Sequence, residues 1–217
     1  MIEINKYIDH TLLKATATEA DILELCKEAR ENEFFSVCLN SCYVKLAAKN
    51  LTGSNVKVCT VIGFPLGAMS TEAKIFEAEQ ALKDGAEEVD MVINIGELKS
   101  KNLQKVEDEI RLIKQAIGDK VLKVIIETCY LTPQEIVIAS EIAVKAKADF
   151  VKTSTGFGTD GAKMENIELM KGAVNGEAKI KASGGIKNLD TALSYIEAGV
   201  ERIGTSSGVS IIKELKG

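Results

Sequence analysis

Short apolar stretches alternate with longer amphipathic segments along the whole chain, and this alternation limits the possible folds more than any other feature. Eight stretches have the length and apolar content of strands: residues 7–10, 34–39, 56–62, 88–93, 122–127, 150–153, 178–182 and 202–204. Between them, apolar residues recur at helical spacing, most clearly at Leu103, Val106, Ile110, Ile113 and Ile117. Strands that alternate with helices favour a parallel sheet covered by helices.

Helix start and stop signals support this pattern. Thr132, followed by a proline and by Glu135, predicts a capped helix start. Thr18 is followed by acidic residues in the same way. Gly85 and Gly199 follow apolar helical segments, where glycine commonly ends a helix.

Eight strand–helix units in 217 residues predict a compact (β/α)₈ barrel, the TIM barrel, as one domain spanning residues 1–217. The sequence has no linker, low-complexity tract or composition break. A doubly wound sheet of seven strands is the alternative, because the first and eighth strands are short.

Composition excludes several functional classes. The net charge of −5 lacks the basic surplus expected of a nucleic-acid binder, and no apolar run reaches the length of a membrane span. The five scattered cysteines are typical of buried free thiols in a reducing cytosol, so we expect a cytoplasmic protein. With one histidine and no cluster of metal ligands, we expect no metal and no other cofactor.

Two late strands carry a lysine just before small polar residues. Lys152 precedes Thr-Ser-Thr-Gly, and Lys181 precedes Ala-Ser-Gly-Gly. Because a buried ammonium group is costly, the pKa of such a lysine tends to fall, and the neutral amine can attack a carbonyl to form a Schiff base. The alternative is a solvated charge at the barrel rim, especially since Lys181 shares a strand face with Lys179.

Carboxylates also interrupt predicted strands. Asp90 lies within an apolar run, and Asp9 precedes the single histidine, His10. A carboxylate inside a barrel is costly unless it is paired, so each is a candidate for proton transfer or for binding a substrate hydroxyl. A structural salt bridge, or for Asp9 a contact at the barrel rim, is the alternative.

Two glycine-rich corners follow late strands and precede helices, at residues 183–185 and 204–208. Backbone N–H groups at such corners bind phosphate, and in barrels this site commonly follows the seventh and eighth strands. The corners therefore predict a phosphorylated substrate.

Six segments, at residues 9–14, 61–65, 88–92, 123–128, 151–156 and 181–185, together resemble deoxyribose-phosphate aldolase. The most specific are Asp-His-Thr-Leu-Leu-Lys from residue 9 and Lys-Thr-Ser-Thr-Gly from residue 152. The resemblance implies a class I aldolase on a (β/α)₈ barrel. Such an enzyme reversibly cleaves 2-deoxy-D-ribose 5-phosphate to D-glyceraldehyde 3-phosphate and acetaldehyde, without a metal, in deoxyribose phosphate catabolism.

By this resemblance Lys152 matches the Schiff-base lysine, Lys181 the second lysine that tunes it, Asp90 the proton-relay aspartate and Asp9 a further acid linked to the relay. The matching substrate and phosphate residues are Thr153, Gly156, Gly184, Gly185, Gly204, Ser206 and Ser207. The expected partners are a small sugar phosphate and aldehydes, with neither nucleic acid nor membrane, and a homodimer or homotetramer is left open.

Two departures from the family pattern concern the substrate. Phe157 stands where some members carry another lysine that helps to hold the phosphate, and the C-terminal tyrosine of some members is missing. Two other functions remain as alternatives: a sugar-phosphate isomerase or epimerase that uses a carboxylate base, and a non-catalytic sugar-phosphate-binding protein.

Overall fold

Eight parallel strands, in sequential order, form a closed barrel in the computed structural model, which describes residues 3–216. Pairing of Ile8 with Ile203 closes the barrel between the first and last strands. The strands are β1 Ile8–Leu12, β2 Ser36–Leu39, β3 Lys57–Ile62, β4 Glu88–Val92, β5 Val121–Ile125, β6 Phe150–Lys152, β7 Lys179–Ser183 and β8 Arg202–Thr205. The predicted (β/α)₈ barrel is confirmed, and the seven-stranded alternative is wrong.

The helices of the described residues surround this barrel. They are α1 Glu19–Glu31, α2 Val44–Leu51, α3 Thr71–Asp84, α4 Ile95–Lys99, α5 Leu103–Ile117, α6 Pro133–Lys145, α7 Met164–Val174, α8 Leu189–Glu197 and α9 Gly208–Lys216. The helix starts predicted at Thr18 and Thr132 are confirmed, and each forms a capping box. Gly85 ends α3 with a left-handed φ of 110°. None of the helices within residues 3–216 combines the length and the apolar character needed to cross a bilayer.

Each strand differs from its predicted bounds by one or two residues at one end or at both, and two of these differences have a clear local cause. Tyr7 ends a short 3₁₀ helix that starts at Ile4, so β1 begins one residue later than expected. The fifth strand was expected to continue to Glu127 but ends at Ile125. Glu127 has a left-handed φ of 53°, a conformation that no extended strand can contain.

The main apolar core lies between the barrel and the helices, and one small apolar cluster around Cys59 packs separately from it. Strand side chains alternate in direction, and apolar residues such as Val124, Val151 and Ile180 belong to the main core. Many barrels fill their interior with branched apolar residues. Here the interior positions of several strands carry charged side chains instead.

Candidate active site

Seven charged side chains meet inside the barrel, and we call them the interior network. Each is buried, with at most 4% of its surface exposed. They are Asp9 on β1, Glu88 and Asp90 on β4, Lys123 on β5, Lys152 on β6, Lys181 on β7 and Arg202 on β8. Because alternate residues of a strand point inward, Glu88 and Asp90 reach the interior together.

Asp90 joins the two lysines that the sequence pattern singled out. Lys152 and Lys181 are direct neighbours in the pairing of β6 with β7. The Nζ atom of each lies 2.8 Å from Oδ2 of Asp90. Lys179, by contrast, is exposed and lies over the ring of Phe150. The rim charge on β7 is therefore Lys179, and Lys181 points into the interior.

The remaining contacts close the network into a ring. Lys181 also contacts Asp9, whose other oxygen lies 2.6 Å from Arg202. Arg202 reaches Glu88 at 2.6 Å. Lys123 then lies 2.6 Å from Glu88 and 2.8 Å from Asp90. Every carboxylate of the network therefore contacts at least two cations.

Burial opposes ionisation of Asp9, Asp90 and Lys181, but their charged partners outweigh it. The lysines around Asp90 hold the pKa of its carboxyl well below the usual range. Lys181 and Arg202 likewise lower the pKa of Asp9. Although burial disfavours the ammonium form, Asp9 and Asp90 raise the pKa of Lys181 above its usual value. The expectation that burial lowers the pKa of these strand lysines is therefore wrong for Lys181, because two carboxylates contact it.

A cavity of about 290 Å³ lies over Lys152. Seven of the residues predicted from the sequence line it: Lys152, Gly156, Gly184, Gly185, Gly204, Ser206 and Ser207. Lys14, Lys187, Thr155 and Phe157 also contribute to its wall. Asp9, Asp90 and Lys181 belong to the network beneath Lys152 and are not among the lining residues.

Thr153 lies outside the cavity and is fully buried. Its hydroxyl donates to the carbonyl of Ser183 at 3.0 Å and accepts from the N–H of Ser183 at 3.1 Å. In this structure the hydroxyl therefore connects the ends of β6 and β7.

The two glycine-rich corners lie side by side at the cavity. Gly184 and Gly185 both have left-handed φ angles, of 85° and 78°. A Cβ atom on Gly204 would lie 3.1 Å from Cε of Lys181, so glycine leaves room above that lysine. Thr205 connects the corners, because its hydroxyl donates to the carbonyl of Ile186 and accepts from the N–H of Ser207. Backbone groups of both corners and two lysines, Lys14 and Lys187, thus surround one space.

Phe157 forms an aromatic pair at the edge of this cavity. Its ring meets that of Phe64 edge to face, with centroids 5.3 Å apart. Phe157 remains 52% exposed. The position at which some family members carry a lysine therefore presents an apolar surface here.

Sequence reasoning missed three members of the network: Glu88, Lys123 and Arg202. The signal was present, because each charge lies inside a predicted strand, and Glu88 is two positions from Asp90. Lys14 and Lys187 were missed as cavity residues because they follow the strand ends in loops. No pattern along the chain shows which loop charges approach one another.

Within residues 3–216, one group of three side chains has the geometry to hold a metal ion: Cys38, Cys59 and Asp90, whose ligand atoms lie within 4.8 Å of one another. Both oxygens of Asp90 already accept lysine bonds, from Lys123 on Oδ1 and from Lys152 and Lys181 on Oδ2. A metal ion would have to compete with three lysine side chains for this carboxylate.

Comparison with known proteins agrees with this geometry. The sequence profile of the DeoC/LacD family aldolases matches residues 4–214. A deoxyribose-phosphate aldolase of Finegoldia magna is 58% identical over 98% of this chain and 100% of its own length. The corresponding protein of Streptococcus gordonii is 56% identical over 98% of this chain and 96% of its own length.

Solved structures give the same result. An aldolase named QR15 superposes with a TM-score of 0.96 at 46% identity, covering 100% of this chain and 97% of that one. A tetrameric deoxyribose phosphate aldolase from Aeropyrum pernix superposes with a TM-score of 0.90 at 33% identity, covering 99% of this chain and 91% of that one. The resemblance predicted from the sequence motifs is confirmed, and the chain belongs to the DeoC/LacD aldolase family.

Proposed function

We propose that the protein is a class I aldolase that reversibly cleaves 2-deoxy-D-ribose 5-phosphate to D-glyceraldehyde 3-phosphate and acetaldehyde. The observation that carries the proposal is the position of Lys152. Its amine lies at the cavity, 2.8 Å from Asp90, with Lys181 bonded to the same carboxylate oxygen. A buried amine beside a second fixed cation is suited to forming a Schiff base.

The charge count of the interior network supports Lys152 as the nucleophile. Three carboxylates face four cations when every group is ionised. Lys181 and Arg202 each contact two carboxylates, whereas Lys152 contacts Asp90 alone. If Lys152 is a neutral amine, the remaining charges balance. Lys152 is therefore the cation of the network with the fewest carboxylate partners, and it is the one that lines the cavity.

In the proposed reaction, Nζ of Lys152 attacks C1 of the open-chain sugar and water leaves, which gives a protonated imine. Asp90, acting through Lys181 or a water, takes the proton of the C3 hydroxyl. The C2–C3 bond then breaks, its electron pair forms the C1–C2 double bond of an enamine while the imine π electrons move onto nitrogen, and glyceraldehyde 3-phosphate leaves with C3 as its aldehyde carbon. Protonation at C2 and hydrolysis release acetaldehyde and regenerate the amine. Asp9 supports this relay by holding Lys181.

The phosphate is proposed to bind at the corners that contain Gly184, Gly185, Gly204, Ser206 and Ser207, with Gly156 on the opposite wall. Backbone N–H groups at loop corners and helix starts favour an anion. Lys14 and Lys187 line the same cavity and supply positive charge in place of a lysine at position 157. Binding of this remote group holds C1 near Lys152.

The network also argues against the two alternative functions. An isomerase needs a carboxylate base beside its substrate, but among residues 3–216 the side chain of this network that lines the cavity is Lys152, and Asp9 and Asp90 lie beneath it. A binding protein without catalysis has no need for a buried lysine at its cavity. A role in deoxyribose phosphate catabolism in the cytoplasm is part of the proposal. We also propose a homodimer or homotetramer, and the tetrameric relative from Aeropyrum pernix supports the homotetramer.

Trapping with borohydride tests the proposal. Acetaldehyde and sodium borohydride should leave an ethyl group on the peptide that contains Lys152 and abolish cleavage. A Lys152→Met variant should resist labelling and be inactive. Labelling confined to other lysines, together with an active Lys152→Met variant, would contradict the assignment.

Independence from metals is a separate part of the proposal. It is supported by the three lysine side chains bonded to Asp90, the carboxylate of the Cys38–Cys59–Asp90 group. Exhaustive treatment with EDTA should leave the cleavage rate unchanged. A loss of activity that zinc restores would place the enzyme among metal-dependent aldolases.

A further inference from the structure

Glu127 is bonded to Thr155, which lines the cavity together with Gly156 and Phe157. The proposed mechanism gives Glu127 no role. The residue comes two positions after the end of β5 and is 2% exposed. Its backbone adopts the left-handed region, with a φ of 53°. Non-glycine residues rarely adopt this conformation, and they retain it where surrounding contacts compensate for the strain.

Both oxygens of this carboxylate are bonded to one residue of the next loop. Oε1 accepts from the backbone N–H of Thr155 at 3.1 Å, and Oε2 accepts a short hydrogen bond from the Thr155 hydroxyl. Hydrogen bonds to an ionised carboxylate are stronger than those between neutral groups. Glu127 therefore holds Thr155 at two points.

Thr155 is in turn hydrogen-bonded to Phe157, so the position of Thr155 also restricts Phe157. The Thr155 hydroxyl oxygen accepts from the N–H of Phe157 at 3.0 Å. Thr155, Gly156 and Phe157 form one wall of the cavity that contains Lys152. The ring of Phe157 in turn meets Phe64. One carboxylate is thus linked through a single threonine to the whole wall.

The loop that carries this wall packs tightly on the loop that carries Glu127. A Cβ atom on Gly158 would lie 2.6 Å from Sγ of Cys129 and 3.3 Å from Cδ of Glu127. The two loops are also joined by the N–H of Thr128, which donates to the carbonyl of Thr153 at 2.9 Å. The close approach leaves Thr155 little freedom to move once Glu127 holds it.

We infer that Glu127 is a positioning residue for the aldol reaction: its carboxylate, through Thr155, fixes the 155–157 wall against the substrate held on Lys152. This inference rests on the proposed aldolase function. A displacement of about 1 Å in a positioning group lowers rates by roughly 100-fold. This role requires the Glu127 carboxylate, and the left-handed backbone conformation alone does not supply it.

Three single variants and one double variant separate the carboxylate's contribution from that of the backbone conformation. Glu127→Gly keeps the left-handed backbone accessible and removes the carboxylate, and it should lower kcat/KM for deoxyribose 5-phosphate by roughly 100-fold. Glu127→Gln keeps the shape and one acceptor oxygen, and Thr155→Val removes the hydroxyl; each should cost roughly 10-fold. The double variant Glu127→Gln/Thr155→Val should be no worse than the poorer single variant, because both changes break the same link.

Two controls make the result specific. Tyr130→Phe, in the same loop and exposed, should leave kcat and KM unchanged. Acetaldehyde trapping on Lys152 should persist in folded Glu127→Gly, since the interior network is intact. If the wild type itself is not trapped, the proposed function fails, and the role of Glu127 fails with it.

Two outcomes would overturn the inference while the aldolase function stands: wild-type kinetics in Glu127→Gly, or strictly additive losses in the double variant. The first would mean that only the backbone conformation is required. The second would mean that Glu127 acts other than through Thr155. If Glu127→Gly does not fold, thermal unfolding will show it. The comparison of Glu127→Gln, Thr155→Val and their double variant then tests whether Glu127 acts through Thr155.

Discussion

Within residues 3–216 the protein buries lysine–carboxylate contacts in two places, and the pKa values of the two groups shift in opposite directions. One is the interior network of the barrel. The other is Lys74 on α3 with Glu109 on α5, whose Nζ and Oε2 atoms lie 2.9 Å apart. Burial lowers the pKa of Lys74 and raises the pKa of Glu109. In the network, neighbouring charges raise the pKa of Lys181 and lower the pKa of Asp90.

The number of partners explains this difference. Lys74 has one carboxylate and the carbonyl of Val92. Lys181 has two carboxylates, and Asp90 has three lysines. Each buried charge loses its hydration once but gains from every opposite charge around it. With a single partner, burial has the larger effect on the pKa, whereas several partners reverse the balance and keep Asp90 and Lys181 ionised.

The strongest test of this view replaces Lys181 with leucine. The network would then hold three carboxylates and three cations only if Lys152 keeps its proton, so the neutral nucleophile would become scarce. We expect the rate at neutral pH to fall by roughly 10²–10⁴-fold, since a proton-transfer partner is lost as well. The acidic limb of the rate profile should move to higher pH.

Lys179→Leu is the matched control, because Lys179 lies on the same strand and face but is exposed. Its pH–rate profile should match that of the wild type. A folded Lys181→Leu variant that also kept the wild-type profile would show that charge balance does not control the nucleophile.

The second test uses stability instead of rate. The folded-state pKa of Asp9 lies below its ordinary value of 3.8, so the unfolded chain binds more protons there at low pH. The contribution of Asp9 is therefore present above about pH 4 and is lost as pH falls below that value. Lys181 acts in the opposite sense: its raised pKa gives stability that is present below 10.5 and is lost at higher pH.

Asp9→Asn should lower the free energy of unfolding at neutral pH by about 3–5 kcal/mol, because Arg202 and Lys181 each lose a partner. The loss of stability between pH 4 and pH 2 should also become shallower. Urea unfolding across this range measures both effects. Asp119→Asn, an exposed control, should change stability by no more than about 0.5 kcal/mol. An unchanged acid slope in Asp9→Asn would contradict the shifted pKa.

The sequence predicted the barrel well because its signals are local. Strand periodicity, capping boxes and glycine stops depend on neighbouring residues, and Thr18, Thr132 and Gly85 behave as expected. The end of β5 was missed, because the left-handed backbone of Glu127 is imposed by contacts with another loop.

For the candidate site, the sequence predicted which residues take part but not how their pKa values shift. Lys152, Lys181, Asp90 and Asp9 were selected by strand position and family resemblance, and the structure brings them together. The sign of the pKa shift at Lys181 could not be predicted from its own strand. It depends on Asp9, which is 172 positions away along the chain. Such a contact exists only once the barrel closes.

The third prediction concerns Lys74 and Glu109. Lys74→Met leaves Glu109 buried without its partner. Because the pKa of Glu109 is already raised, this carboxyl can become neutral, and the loss of stability should be only about 1–3 kcal/mol. Lys74→Met/Glu109→Leu replaces the pair with apolar side chains and should restore most of that loss. Urea unfolding of the wild type and both variants measures these changes in the free energy of unfolding. A double variant less stable than the single one would show that the pair stabilises the fold in its own right.

The smallest effect is expected for a substitution at Ser207, which lines the cavity and belongs neither to the interior network nor to the Lys74–Glu109 pair. Ser207 precedes α9 in the corner proposed to bind phosphate, and its N–H donates to Thr205. Ser207→Glu places a negative charge there, which repels a phosphate but does not contact the interior network. We expect KM for deoxyribose 5-phosphate to rise roughly tenfold, equivalent to about 1.4 kcal/mol, with kcat nearly unchanged. Cleavage of unphosphorylated deoxyribose should change far less, and equal losses on the two sugars would mean that this corner is structural.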